Sequence, residues 1–248
     1  MSDATNAMSG MTNADSAHRV PGFAGIVLCG GKSSRMGQPK AWLPFGGEPM
    51  LTRIVRLLAE IVAPIVVVAA RDQKLPPLPG DVLLARDERD EQGPLEGLRC
   101  GLAKLTEWNA SRSSESQVVA AYATSCDVPL LEPTFVRRMI SELGVHDVAV
   151  PIEAEFHHPL AAVYRLSVLP HLEDLLAAQR YRPVFLYERV TTRRVDVETL
   201  RDVDPELSSL RNLNRPEDYE AALSSFVANS RLRISVDETS ARNSASDT

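Results

Sequence analysis

Three groups of residues combine chemically capable side chains with suggestive spacing. The first is Leu28-Cys29-Gly30-Gly31-Lys32-Ser33-Ser34-Arg35-Met36-Gly37-Gln38-Pro39-Lys40, which continues the apolar stretch Gly25-Ile26-Val27-Leu28. Adjacent glycines directly after a strand let backbone N–H groups come close to an anion. Lys32, Ser33, Ser34 and Arg35 add charge and hydroxyl donors. Arg35 offers a planar fork for phosphate, and Lys40 a point charge for a transferring group. The second group is Cys126-Asp127-Val128-Pro129, at the end of another apolar run. A carboxylate beside polyphosphate is repulsive unless a cation lies between them, and Mg²⁺ binds one or two carboxylates together with phosphates. The third is Asp87, shortly before Gly93-Pro94-Leu95-Glu96-Gly97. Its carboxylate could accept from a base edge or a ribose hydroxyl, or simply belong to the charged loop running to Glu91. Together the groups point to an enzyme that takes a nucleoside triphosphate and transfers part of it.

Two better-known nucleotide loops do not fit. Gly31-Lys32-Ser33 lacks the earlier partner glycine of a Walker loop. Gly30 and Gly31 are adjacent instead of spaced as in the dinucleotide fingerprint.

The elements that must position these residues follow an alternating pattern. Apolar runs at Gly25–Leu28, Ile65–Ala69, Val82–Leu84, Val118–Thr124, Asp147–Pro151, Leu160–Tyr164 and Arg193–Val197 read as strands. Helical spacing spans Met50–Val62, Gly93–Leu105, Ser167–Gln179 and Pro216–Phe226. Alternation of this kind predicts an α/β fold with a mostly parallel sheet flanked by helices. In such a sheet ligands sit at the carboxyl ends of the strands, so Asp127 should share a crevice with the glycine loop. The Ser-rich stretch Ala110–Gln117 reads as a surface loop.

With 248 residues, 44% hydrophobic and 24% charged, the chain has a globular balance. A net charge of −6 argues against a nucleic-acid partner, and no apolar run reaches the roughly 18 residues that span a bilayer. Cys29, Cys100 and Cys126 have neither paired nor metal-ligand spacing and read as reduced thiols of a cytoplasmic protein. Residues 1–19 and 232–248 lack periodicity and read as disordered tails on a unit spanning 20–231.

These motifs, with His158-Pro159-Leu160 and Asn212-Leu213-Asn214-Arg215-Pro216-Glu217, make the chain resemble the molybdenum cofactor guanylyltransferases. That group belongs to a larger set of nucleotidyltransferases with a Rossmann-like three-layer fold. The resemblance implies Mg²⁺-dependent transfer of GMP from GTP to Mo-molybdopterin, with release of pyrophosphate. It implies GTP contacts at Leu28, Cys29, Gly30, Gly31, Lys40, Asp87 and Asp127, with Asp127 on the metal and Arg35 and Lys40 acting on the phosphates. It also makes hand-off of the labile pterin from a delivering protein, or to a molybdoenzyme chaperone, an expectation. Close alternatives are a transferase that uses CTP, or one that acts on a sugar or polyol phosphate. A non-catalytic nucleotide binder is the alternative from another class.

Two departures stand out. Cys29 replaces the family's usual Ala and reads as a small residue packed under the loop. Ala69 stands where well-known members carry Asn, removing a side-chain bond to the nucleotide and leaving guanine against cytosine open; Arg71 or Gln73 could substitute for it. His157 and His158 point to opposite faces if extended, which disfavours a metal pair, and His158 reads as lining an acceptor pocket as readily as being structural. Asn214 reads as a cap for the last helix, and Asn212 is open.

Overall fold

A computed structural model of the chain describes residues 18–30, 39–87 and 93–228. Gly31, Lys32, Ser33, Ser34 and Arg35 lie outside the described residues, as does nearly all of both expected tails.

The principal strands are β1 (Phe23–Leu28), β4 (Ile65–Ala70), β5 (Leu83–Asp87), β6 (Ala120–Ser125), β7 (Val148–Glu153), β8 (Phe156–His157), β9 (Ala161–Arg165) and β10 (Thr192–Asp196). They form one sheet in the order β10-β7-β9-β6-β1-β4-β5, with β8 added to β7. β10, β7, β6, β1, β4 and β5 share one direction, and β9 runs against both neighbours. A separate hairpin joins β2 (Pro44–Phe45) to β3 (Glu48–Pro49).

Helices cover both faces, as the apolar character of the central strands requires. Val67 and Ala69 of β4 enter a core shared with Leu51, Ile54 and Leu58 of α1 (Met50–Ala59) and with Phe135, Val136 and Met139 of α3 (Pro133–Leu143). Their neighbours Val66 and Val68 face the other layer, where α2 (Gly93–Asn109) and α4 (Leu169–Ala177) contribute Leu95, Leu98, Leu172 and Leu175. The period of two along a strand therefore splits one apolar run between two cores. The expected three-layer α/β fold is present.

Small residues set how closely α2 lies on β1. A Cβ at Gly97 would stand 2.9 Å from the Leu28 side chain, and one at Gly101 2.7 Å from Ile26. The second glycine of Gly-Pro-Leu-x-Gly thus seats the helix against the strand that feeds the glycine loop.

Several expected bounds shift. α1 ends at Ala59, before the expected Val62, although Ile61 and Val62 remain buried in the following turn. α2 runs on to Asn109, β5 extends to Asp87, and the expected helix over Ser167–Gln179 is a 3-10 turn at Leu166–Val168 followed by α4. Val197 belongs to the 3-10 turn Val197–Leu200 after β10. α3 and the short α5 (Val184–Tyr187) were not among the expected elements. The final helix, α6, covers residues 216–228. No helix among the described residues is long and apolar enough to cross a membrane.

Candidate functional site

Two neighbouring parallel strands deliver the central groups. Beyond β1, the Cys29 N–H donates to the Val68 carbonyl at 2.8 Å; beyond β6, the Cys126 N–H donates to the Leu28 carbonyl at 3.0 Å. Each strand is thereby held for one residue past its end, and the next residues, Gly30 and Asp127, emerge side by side. Gly30 is exposed, with nothing within 4 Å of where a Cβ would stand.

Asp127 is only 6% exposed, yet both carboxylate oxygens are engaged. Oδ2 accepts from Lys40 Nζ at 2.6 Å, and Oδ1 from Asn212 Nδ2 at 3.1 Å. Lys40 Nζ also donates to Asn214 Oδ1 at 2.8 Å, and the Leu213 N–H donates to the Asp127 carbonyl at 2.8 Å. Segments far apart in sequence thus converge on one carboxylate and one ammonium.

Local structure explains how Lys40 arrives there. It opens the 3-10 turn Lys40–Trp42, in which Ala41 is buried and Trp42 Nε1 donates to the Lys74 carbonyl at 3.0 Å. The adjoining hairpin inserts Phe45 against Tyr219 and Phe226 of α6, forming a small third core with Met50 and Leu213. The Tyr219 hydroxyl donates to the Pro44 carbonyl. That core ties the Lys40 turn to the segment carrying Asn212 and Asn214.

The cap expected of Asn214 is therefore a misreading: its amide oxygen serves Lys40. The start of α6 is closed instead by Asp218, whose carboxylate reaches back to the Arg215 N–H at 3.1 Å, as an acidic third residue does in a capping box.

Asp87 lies elsewhere. It ends β5 in register with Ala70 of β4, whereas Asp127 follows β6 on the other side of β1. At the usual spacing between neighbouring strands, β5 lies about 10 Å from β1, so Asp87 and Asp127 stand well apart along the same edge of the sheet. Asp87 shares its corner with two residues that sequence reasoning passed over, Glu96 and Cys100, ligand atoms of all three lying within 4.8 Å of one another. Glu96 is wholly buried, and the Arg99 guanidinium grips both its oxygens at 2.9 and 2.7 Å. Burial pushes the Cys100 thiol up to about 12, so it stays protonated. A glutamate followed three places later by an arginine on a helix was the available signal.

The remaining sequence candidates resolve as follows. Leu28 is buried under Gly97. Cys29 is buried in the core, and its thiol is held well above the ordinary range by a hydrogen bond with Cys126 and by burial, as befits a packing residue. Ala69 is fully buried and brings no polar group to the cleft; Arg71 is exposed, while the Gln73 amide bonds backbone at the β1 and β4 ends. His157 lies against Tyr187, with ring centroids 5.0 Å apart, and His158 meets Phe156 edge-on. His158 Nε2 stands 3.8 Å from Glu153, beyond hydrogen-bond reach. Burial lowers the pKa of both rings, and their different neighbours do not form a metal pair.

The Asp127 corner suits a hard divalent cation. One buried carboxylate offers oxygen alone, its counter-charge among the described residues is the Lys40 ammonium, and Asn212 and Asn214 add neutral amide oxygens rather than soft ligands.

Comparison with known proteins identifies the family. The model of the MobA-like NTP transferase domain matches residues 25–194. A probable molybdenum cofactor guanylyltransferase of Methanosarcina acetivorans is 32% identical over 239 residues, covering 91% of this chain and all of the relative. A molybdenum cofactor guanylyltransferase of Desulfosudis oleivorans is 32% identical over 206 residues, covering 82% and 96%. Among solved structures, molybdopterin-guanine dinucleotide biosynthesis protein A from Archaeoglobus fulgidus has the same fold, with a TM-score of 0.66 at 19% identity over 83% of this chain and 99% of that one. This chain belongs to the MobA-like NTP transferase family and is a nucleotidyltransferase.

Proposed function

We propose that the protein transfers GMP from GTP to Mo-molybdopterin, yielding the guanine dinucleotide form of the cofactor and pyrophosphate, within a catalytic unit of residues 20–231. The observation that carries this reading is the convergence of Lys40, Asp127, Asn212 and Asn214 at the ends of β1 and β6, with Asp87 ending β5 on the other side of β4. The names of relatives 32% identical over most of the chain support the choice of substrates.

The assignments follow from position. Leu28, Cys29, Gly30 and Gly31 present backbone to the triphosphate, and Asp87 faces the guanosine. Arg35 and Lys40 neutralise charge on the phosphates, which lowers the barrier where negative charge develops. Asp127 would hold Mg²⁺, which when bound supplies further charge neutralisation. A terminal phosphate oxygen of the pterin attacks the α-phosphorus in line, and the bond from that phosphorus to the bridging oxygen breaks, with pyrophosphate leaving. Most of the acceleration then comes from positioning. His158 faces the acceptor side in this reading. The reaction belongs to the cytoplasm, and the unstable pterin suits direct transfer from a delivering protein or to a molybdoenzyme chaperone.

A second reading has one specific support. Ala69 puts no polar side chain at the end of β4, so the contact that would select guanine there is absent and a relative using CTP is the alternative. Incubating the purified protein with Mg²⁺, Mo-molybdopterin and each triphosphate in turn decides between them. Incorporation of GMP with release of pyrophosphate is expected; incorporation of CMP without GMP overturns the guanine assignment.

A further inference from the structure

The β1–β4 ladder is interrupted at the mouth of the nucleotide loop. Leu28 pairs with Val68, and the Cys29 N–H bonds the Val68 carbonyl. The next bond of a parallel ladder would run from the Ala70 N–H to the Cys29 carbonyl. Instead, Ala70 N–H donates to Gln73 Oε1 at 3.2 Å, and Gln73 Nε2 donates to the Cys29 carbonyl at 3.0 Å. A side-chain amide has the same donor and acceptor as a peptide group, so Gln73 completes the ladder while holding the two strand ends apart. The backbone of Gln73 is fixed in turn. Its N–H bonds the Ala70 carbonyl at 3.1 Å, and Arg86 Nη1 from β5 donates to the carbonyls of both Ala70 and Gln73 at 2.9 Å.

The consequence falls on the glycine loop, because Cys29 is the last residue before Gly30. A carbonyl held from the β4 side fixes the peptide plane from which the chain leaves β1, and therefore the direction of the first N–H offered to phosphate. We propose that Gln73 is a positioning residue for the nucleotide loop, acting through the Cys29 carbonyl, with Arg86 as its brace. This goes beyond a replacement for the apolar Ala69: the amide acts on the chain that carries the phosphate contacts, so its effect should be independent of the base. The inference rests on the cleft being a nucleoside triphosphate site.

The test is calorimetric titration of the full chain with GTP, CTP, ATP and UTP in the presence of Mg²⁺, together with steady-state transfer kinetics. Gln73→Met keeps side-chain length and removes both bonds. It should weaken every triphosphate that the natural protein binds by the same factor, about fivefold to tenfold, the size of one lost hydrogen bond. KM for the nucleotide should rise by that factor while kcat stays within about twofold, since bound nucleotide still meets the same reacting groups. Should Gln73→Met fail to fold, the exposed Arg86→Gln carries the same test with a uniform loss of about threefold. Unchanged binding in a folded Gln73→Met overturns the inference and leaves the transferase reading standing. A loss for one base, with no loss for another that the natural protein also binds, overturns positioning in favour of base recognition. A natural protein that binds no triphosphate overturns the reading of the cleft and this inference with it.

Discussion

Two carboxylate–cation pairs lie at the carboxyl end of the sheet, alike in distance and different in construction. Lys40 and Asp127 meet at 2.6 Å, Arg99 and Glu96 at 2.7 Å, and in each pair the carboxylate is nearly buried while the cation keeps some access to water. The first pair joins residues 87 positions apart through single contacts, with Asn212 and Asn214 completing it. The second lies within one turn of α2 and uses the bidentate fork, with the Cys100 thiol 3.5 Å from Glu96. Single contacts drawn from several segments can each be exchanged for a ligand oxygen. A fork closed inside one helix turn has little to exchange. The contrast teaches that the two pairs differ in how their partners are assembled and not in burial, and it is the exchangeable one that the proposed reaction uses.

The contrast is broken most severely at Asp127. Asp127→Asn keeps the size of the side chain and an oxygen for Lys40, whose ammonium also retains Asn214 Oδ1, so the melting temperature should fall less than for Glu96→Gln. Loss of the carboxylate charge should lower kcat about a thousandfold, the scale of a removed electrostatic contact to the transition state. Near-normal turnover with unchanged Mg²⁺ dependence would remove Asp127 from the metal assignment. Lys40→Met comes next, with kcat/KM for the nucleotide reduced about a hundredfold, because in the proposed reaction the phosphates lose a point charge while the proposed metal ligand remains. A loss below fivefold, measured under the same conditions, would make the ammonium a mere counter-ion for Asp127.

The Glu96 pair should respond in a different quantity. Glu96→Gln leaves the Arg99 guanidinium without its counter-charge. Unfolding in urea should show a loss of about 2 kcal/mol, less than for a fully buried pair because Arg99 can turn toward water. Turnover per folded molecule should hold within about twofold at low temperature. Stability unchanged with turnover lost would reverse the roles given to the two pairs.

This division of labour was only partly legible in the sequence. The strands leading to Gly30, Asp87 and Asp127 announced themselves because two-sided burial forces unbroken apolar runs such as Ile65-Val66-Val67-Val68. The direction of β9 did not, since side-chain alternation is the same either way; the brief connection from β7 through β8 was the clue, being too short for a parallel crossover. α3 had its signal in Phe135, Val136, Met139, Ile140 and Leu143, with a proline in its first turn, and was overlooked beside the Cys126 to Pro129 motif. Asn214 was misjudged for a physical reason. Capping is a local property that two or three neighbours suggest, whereas its bond to Lys40 spans 174 positions and exists only once the Phe45 and α6 core has formed. Glu96 was hidden as the variable residue of Gly-Pro-Leu-x-Gly, although its spacing from Arg99 was there to be seen.

The smallest effect is the sharpest discriminator. Replacing both members of the second pair, Glu96→Met with Arg99→Leu, substitutes apolar groups of similar volume for a pair with no net charge. Such exchanges are often neutral, because the desolvation cost of the two ions disappears along with their attraction. Stability should return to within about 1 kcal/mol of the natural protein, better than Glu96→Gln alone. The charge felt by neighbouring Asp87 is also preserved, since one negative and one positive group leave together, so nucleotide affinity should hold within about twofold. The corresponding change at the first pair, Asp127→Asn with Lys40→Met, should recover nothing, because the proposed reaction calls on the ammonium for the substrate and on the carboxylate for the metal. Urea melts and nucleotide titrations on the two double variants therefore measure one distinction twice. If the Glu96 and Arg99 double variant bound nucleotide tenfold more weakly while remaining fully stable, that pair would belong to the nucleoside site beside Asp87 and not to the scaffold beneath it.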